Sequence, residues 1–158
     1  MADERIYILT GEIHSGKTTS IAKWIEGRTD VFGILTPDIR GERFFMNAQT
    51  KEQFTMEAAT GEANVLQVGK YNFSKETFEK ASRVLREGLL QNWGWLIVDE
   101  IGHLELKQQG FYEVIKEILG NDNPELKKLL VVRQSLVEQV IAFFKIKDYT
   151  IITSMDNI

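Results

Sequence analysis

One eight-residue segment carries the pattern of a phosphate-binding loop. It begins at Gly11, ends in Gly16-Lys17-Thr18 and matches GxxxxGK[ST] at every fixed position. Glycines let the backbone approach a phosphate chain closely, and the N–H groups at a helix N-terminus receive its negative charge. We expect Lys17 to reach the β and γ phosphates and Thr18 to give its hydroxyl to Mg²⁺. The predicted binding residues are Gly11, Glu12, Ile13, His14, Ser15, Gly16, Lys17, Thr18 and Thr19.

Two adjacent carboxylates follow an apolar run later in the chain. Residues 95–98 read Trp-Leu-Ile-Val and lead at once into Asp99 and Glu100. At the carboxyl end of a parallel strand beside a phosphate loop, the Asp can hold the hydration shell of Mg²⁺ and the Glu can deprotonate an attacking water. We therefore assign Asp99 to the metal and Glu100 to catalysis. An isolated pair of this kind would only indicate a turn.

Phosphoryl transfer also needs positive charge beyond Lys17 at the reacting group. Arg40 and Arg133 each follow a predicted strand, where the ligand crevice of an open α/β sheet lies. Arg133 comes directly after residues 130–132 and is the better placed of the two, so we add it to the catalytic residues. The sequence does not indicate a role for His103, Lys70 or Tyr71.

Strands alternate with helices along the sequence. Apolar or β-branched runs predict strands at 6–10, 31–35, 65–68, 95–98, 129–132 and 149–153, and helical spacing predicts helices at 17–26, 110–119 and 136–144. Another helix follows Ser74, the expected N-cap. Residues 43–48 and 53–57 form a predicted hairpin insert. We expect an α/β fold in one domain, residues 1–158: a doubly wound, mainly parallel sheet with helices on both faces and an antiparallel hairpin near residues 43–57.

Composition excludes several kinds of chemistry. The 158 residues include no cysteine and two histidines, which excludes disulfides, thiol nucleophiles and cysteine-ligated metals and disfavours a multi-histidine centre. A net charge of −4 gives no general attraction to nucleic acid. No apolar run approaches the roughly 20 residues that span a bilayer. We expect a cytoplasmic protein with a nucleoside triphosphate as its ligand, no membrane contact, no indicated nucleic-acid partner and an unknown protein partner.

These motifs resemble a family of small nucleoside-triphosphatases of archaea and bacteria, whose vertebrate member is called cancer-related nucleoside-triphosphatase. The resemblance depends on the phosphate loop and on the segments 36–40, 68–71 and 99–106, the last reading Asp-Glu-Ile-Gly-His-Leu-Glu-Leu. It implies a P-loop NTPase fold with a catalytic glutamate, Mg²⁺-dependent hydrolysis of nucleoside triphosphates to diphosphates, and broad base tolerance. The resemblance also implies roles for six residues. Gly11, Gly16, Lys17 and Thr18 would bind phosphate and magnesium, Asp99 would bind magnesium, and Glu100 would be catalytic.

Two other functions use the same residues. A nucleotide or small-molecule kinase would transfer the phosphoryl group to an acceptor, and the segment 37–73 could house one. A nucleotide-binding regulatory module would signal by occupancy with little hydrolysis. The absence of an arginine-rich lid disfavours the kinase, and both alternatives stay open on the sequence.

Overall fold

A mixed β-sheet forms the centre of the molecule. The computed structural model describes residues 5–11 and 16–158. Its strands, in chain order, are β1 (Ile6–Leu9), β2 (Val31–Leu35), β3 (Asp38–Ile39), β4 (Glu42–Asn47), β5 (Gln53–Thr55), β6 (Val65–Val68), β7 (Tyr71–Ser74), β8 (Gly94–Ile101), β9 (Leu126–Val132) and β10 (Tyr149–Ile152).

The main sheet has the strand order β10-β1-β9-β8-β2-β4-β3, and β5 pairs with β4. The strands from β10 to β2 in that order are parallel to one another. The strand β4 runs antiparallel to β2, β3 and β5, so the insert extends the sheet at the β2 side. The β4–β5 pairing confirms the hairpin predicted near residues 43–57.

Helices cover both faces of this sheet, as predicted. They are α1 (Lys17–Trp24), α2 (Lys75–Gln91), α3 (His103–Leu106), α4 (Tyr112–Gly120) and α5 (Val137–Phe144). Because successive strand residues point to opposite faces, Ile8 and Leu9 of β1 belong to different apolar cores. Leu9 packs in the core that contains Ile21 of α1. Ile8 packs in the core built by α2, α4 and α5.

The course of the chain creates a crevice between β1 and β9. These strands are neighbours, but β1 leads through α1 to β2, whereas β9 leads through α5 to β10. The two helices lie on opposite faces, since α1 and α5 contribute to different cores. Connections that diverge from the carboxyl ends of adjacent parallel strands leave a binding crevice there. The predicted phosphate loop follows β1, and Arg133 follows β9.

Three elements differ from the sequence prediction. The strand β7 pairs with β6 as a separate hairpin around Gly69 and Lys70, although Phe73 is its one buried apolar residue. The strand β8 continues through Asp99 and Glu100 to Ile101, with an irregular register against β9 at that point. The four-residue helix α3 is too short to leave a periodic pattern.

Among the described residues, none of the helices is both long enough and apolar enough to cross a bilayer.

Candidate active site

The two ends of the phosphate loop lie close together. The strand β1 ends at Leu9, Gly11 follows, and α1 begins at Lys17 directly after Gly16. Gly16 has φ +78°, a left-handed conformation that favours glycine. The Lys17 Nζ donates to the carbonyl oxygen of Gly11 at 3.4 Å, which ties the start of the helix to the end of the strand. Glu12, Ile13, His14 and Ser15 lie outside the described residues.

Asp99 joins three separate parts of the chain. The Thr18 hydroxyl donates to Asp99 Oδ2 at 2.7 Å, and the Thr36 backbone N–H donates to the same oxygen at 3.1 Å. The carboxyl is 1% exposed. Burial raises its pKa to about 6, the charge of Glu100 adds to the rise, and the hydrogen bonds from Thr18 and Thr36 oppose it. The strand β8 thus brings Asp99 to the first turn of α1.

The oxygen atoms of Thr18 and Asp99 suit a magnesium ion. Mg²⁺ prefers oxygen ligands and is usually held by one or two protein groups together with water and substrate phosphates. The hydroxyl of Thr18 and the carboxylate of Asp99 are two such groups within hydrogen-bond distance of each other. Within the described residues, no cluster of three His, Cys, Asp or Glu side chains could hold a metal. Thr18 and Asp99 are therefore the two groups here that could hold such an ion.

Glu100 and Arg133 face each other across the ends of β8 and β9. Arg133 Nη2 lies 3.9 Å from Glu100 Oε1, and about a third of each side chain is exposed (29% and 31%). A pair at this distance and exposure is weak. Both groups can therefore exchange their mutual contact for water or phosphate at small cost. The backbone N–H of Gln134 also donates to the Gly11 carbonyl at 3.2 Å, which holds the segment after β9 against the phosphate loop.

Two adjoining cavities meet at Glu100. The first, here called the phosphate cavity, has a volume of about 420 Å³ and is lined by Gly16, Lys17, Thr18, Thr19, Thr36, Asp38, Arg43 and Glu100, among others. The second, here called the insert cavity, has a volume of about 80 Å³ and is walled by Phe45, Phe78, Phe111, Arg43, Glu100 and Arg133, among others. Glu100 borders both cavities.

A buried carboxyl holds the segment after β8. Glu105 is 3% exposed; its Oε1 accepts from the Gly102 N–H at 2.7 Å and its Oε2 from the Phe111 N–H at 3.0 Å. Burial raises its pKa to about 7, although both backbone hydrogen bonds favour the charged form. These bonds connect the turn after Glu100 to the start of α4. Glu105 therefore supports the position of the end of β8.

Sequence reasoning missed some of the residues at this site. Arg40 is exposed at the turn between β3 and β4, with φ +54°, whereas Arg43 lines both cavities. The signal for Arg43 is its spacing from Phe45, since residues i and i+2 of a strand share a face and Phe45 is fully buried.

His103 lines the insert cavity but is exposed. The Tyr71 ring stacks on Phe73 at 5.7 Å between centroids, at the hairpin tip that also carries Lys70.

The sequence profile of a family described as NTPase matches residues 6–156. The chain belongs to this NTPase family. The family resemblance inferred from the motifs is thereby confirmed. Among similar proteins, the nucleoside-triphosphatase THEP1 of Methanosarcina barkeri is 33% identical over 135 residues, covering 77% of this chain and 74% of the relative. The protein of the same name from Korarchaeum cryptofilum is 28% identical over 153 residues, covering 89% and 76%.

Solved structures support the fold. The crystal structure of THEP1 from Aquifex aeolicus matches with a TM-score of 0.76 at 22% identity, covering 96% of this chain and 91% of that one. The solution structure of a human cancer-related nucleoside triphosphatase matches with a TM-score of 0.66 at 24% identity, covering 97% and 90%. At these identities the likeness shows the fold, and the predicted P-loop NTPase architecture is confirmed.

Proposed function

We propose that this NTPase family member hydrolyses nucleoside triphosphates to diphosphates and phosphate in a Mg²⁺-dependent reaction. The observation that carries the proposal is the 2.7 Å hydrogen bond between Thr18 and Asp99, at a cavity that Lys17 and Glu100 also line. A phosphate-binding helix end, two metal-seeking oxygens and a second carboxylate are thereby gathered at one place. The relatives named nucleoside-triphosphatase support the same reaction.

The phosphate chain would lie on the loop from Gly11 to Thr19, with its charge facing the first turn of α1. Lys17 would pair with the β and γ phosphates, and Thr18 and Asp99 would hold Mg²⁺. The ion, when bound, supplies positive charge that stabilises the phosphate oxygens, and it orients the substrate. Asp99 suits this role because its buried carboxyl gains a cation that favours its ionised form.

Glu100 is the proposed general base. It would take a proton from a water molecule whose oxygen attacks the γ phosphorus, and the bond from that phosphorus to the β-phosphate oxygen would break. Negative charge spreads over the γ oxygens as this happens, so a nearby cation lowers the barrier. Arg133 is the proposed source of that charge, because its guanidinium already lies beside Glu100.

We extend the proposal to triphosphates of several bases. The residues proposed above contact the phosphates, the metal and the attacking water, which are common to all nucleoside triphosphates. The cytoplasmic location expected from the sequence belongs to the same proposal, since a triphosphate substrate would be supplied there.

Phosphate release from ATP, GTP, CTP and UTP with Mg²⁺ tests the function. We expect the wild type to release phosphate from more than one of them, and Lys17→Ala to lose the activity because the β and γ phosphates lose their partner. Lys23→Ala, on the exposed side of α1, is the matched control and should retain it. Faster transfer of the phosphoryl group to a nucleoside or nucleoside monophosphate than to water would favour the kinase. Tight binding without release would favour the regulatory module.

A further inference from the structure

Arg43 is a partly buried cation in the wall between the phosphate cavity and the insert cavity. It lines both of them, together with Glu100. It comes from β4 of the insert, whereas the other charged residues assigned to the site come from the phosphate loop and from the ends of β8 and β9. The insert thus brings an arginine to the cavity in which the triphosphate is proposed to bind.

The guanidinium of Arg43 lacks an anionic partner among the described residues, 5–11 and 16–158. It contacts the Tyr71 ring, with 5.7 Å from the Cζ atom to the ring centroid. That distance is near the limit of about 6 Å for a cation–π interaction, so the contact is weak. By contrast, Arg28 pairs with Asp30 at 2.9 Å and Arg86 with Glu117 at 2.8 Å.

The acidic residue on the neighbouring strand uses one carboxylate oxygen within its own turn. Asp38 of β3 is in register with Arg43, but its Oδ1 accepts from the Gly41 N–H at 2.9 Å. No ion pair within 4.0 Å joins these two side chains in the described part of the chain. A partly buried arginine with five donors and, in the described part of the chain, no ion pair within 4.0 Å is arranged for an anionic ligand.

The backbone around Arg43 is tied to the metal-binding carboxylate. The Phe44 N–H donates to the Pro37 carbonyl at 3.0 Å, one residue from Thr36. Thr36 in turn donates its N–H to Asp99. Phe45, on the same face of β4 as Arg43, is fully buried against Phe78 and Phe111. The base of the Arg43 side chain is therefore fixed relative to Asp99, while its guanidinium contacts the Tyr71 ring and no other charged or polar side chain of the described residues.

We infer that Arg43 binds the terminal phosphoryl group of the triphosphate and stabilises the charge that develops on it during hydrolysis. The inference rests on the proposed function, because it assigns a ligand group to the same cavity. The guanidinium leaves the Tyr71 ring when the triphosphate enters and bonds to the γ-phosphate oxygens, for which its planar fork is suited. A diphosphate lacks those oxygens and leaves Arg43 on the ring.

The test compares Arg43→Ala, Arg43→Lys and the control Arg86→Ala, whose arginine lies on the exposed face of α2. We expect Arg43→Ala to lower kcat about 100-fold, the loss typical of removing one such charged donor. Arg43→Lys should recover part of the loss, because a point charge remains, and Arg86→Ala should match the wild type. An Arg43→Ala variant within twofold of the wild-type kcat would overturn the inference.

Binding gives an independent readout. Isothermal titration measures the affinity for a non-hydrolysable β,γ-imido ATP analogue and for ADP. We expect Arg43→Ala to lower the affinity for the analogue at least about tenfold and to leave the affinity for ADP unchanged. Equal weakening of both ligands would contradict a γ-phosphate contact. If the wild type releases no phosphate from any triphosphate, the proposed function fails, while this affinity ratio still decides the role of Arg43. Should Arg43→Ala not fold, Arg43→Gln keeps most of the side chain for both measurements.

Discussion

The buried carboxyl of Glu105 makes folding stability depend on pH in a calculable way. Its pKa lies at about 7 in the folded protein against an ordinary value of 4.5, because burial disfavours the charge. The folded state therefore holds the proton more tightly than the unfolded state does. The stabilisation is present in full below pH 4.5 and is lost as the pH rises through about 7.

The size of this effect follows from the same two values. The gap between 4.5 and about 7, at roughly 1.4 kcal/mol for each pH unit, corresponds to about 3 kcal/mol. Most of that change, about 2 to 3 kcal/mol, falls between pH 5 and pH 8. The assay is the free energy of unfolding from urea titrations across this range, for the wild type and Glu105→Gln. The variant cannot ionise and keeps one of the two backbone hydrogen bonds.

We expect the stability of Glu105→Gln relative to the wild type to rise by about 2 to 3 kcal/mol from pH 5 to pH 8, because only the wild type loses stability as this carboxyl ionises. The comparison isolates Glu105 and its interaction with Glu100, because the carboxyls that do not interact with Glu105 contribute equally to both proteins. Glu87→Gln, at an exposed position of α2, is the matched control and should follow the wild-type curve. Parallel curves for wild type and Glu105→Gln would refute the reasoning, since they would mean that this carboxyl ionises equally in both states.

Further predictions concern the sheet and the metal. Gly33→Ala should cost at least about 3 kcal/mol of unfolding free energy in urea, because Gly33 has φ +111° and a Cβ there would lie 2.1 Å from the Ile97 carbonyl oxygen. Gly27→Ala, with φ +73° and open space around it, should cost about 1 kcal/mol; equal losses would contradict the close approach of β2 and β8. Thr18→Val should raise the Mg²⁺ concentration for half-maximal phosphate release about tenfold or more, and Thr18→Ser should not. An unchanged Mg²⁺ requirement in Thr18→Val would remove this hydroxyl from the metal site.

The core of the fold could be predicted because its signals are local. Continuous apolar runs predict β1, β2, β8 and β9. The phosphate-binding pattern predicts that β1 is followed by a loop and then by a helix. The pairing of β6 with β7 could not be predicted, because Tyr71–Ser74 is short and mixed in polarity and depends on its partner strand.

The limits of the site prediction have the same cause. Lys17, Thr18, Asp99 and Glu100 are identified by motifs, and the sheet brings them together as expected. Arg43 belongs to no motif, and its place in the cavity depends on the tight turn at residues 40–41 and the pairing of β3 with β4. A single sequence can place Arg43 on the strand face of Phe45, but it does not show which strands pair beside it.

The central claim is that Glu100 activates water for an attack on a bound triphosphate. The most direct measurement is phosphate release by Glu100→Gln at saturating triphosphate and Mg²⁺, with the affinity for the β,γ-imido ATP analogue measured in parallel. We predict that release falls at least about 100-fold, the usual contribution of a general base, while the affinity stays within a fewfold of the wild type. Undiminished release by Glu100→Gln would contradict the account.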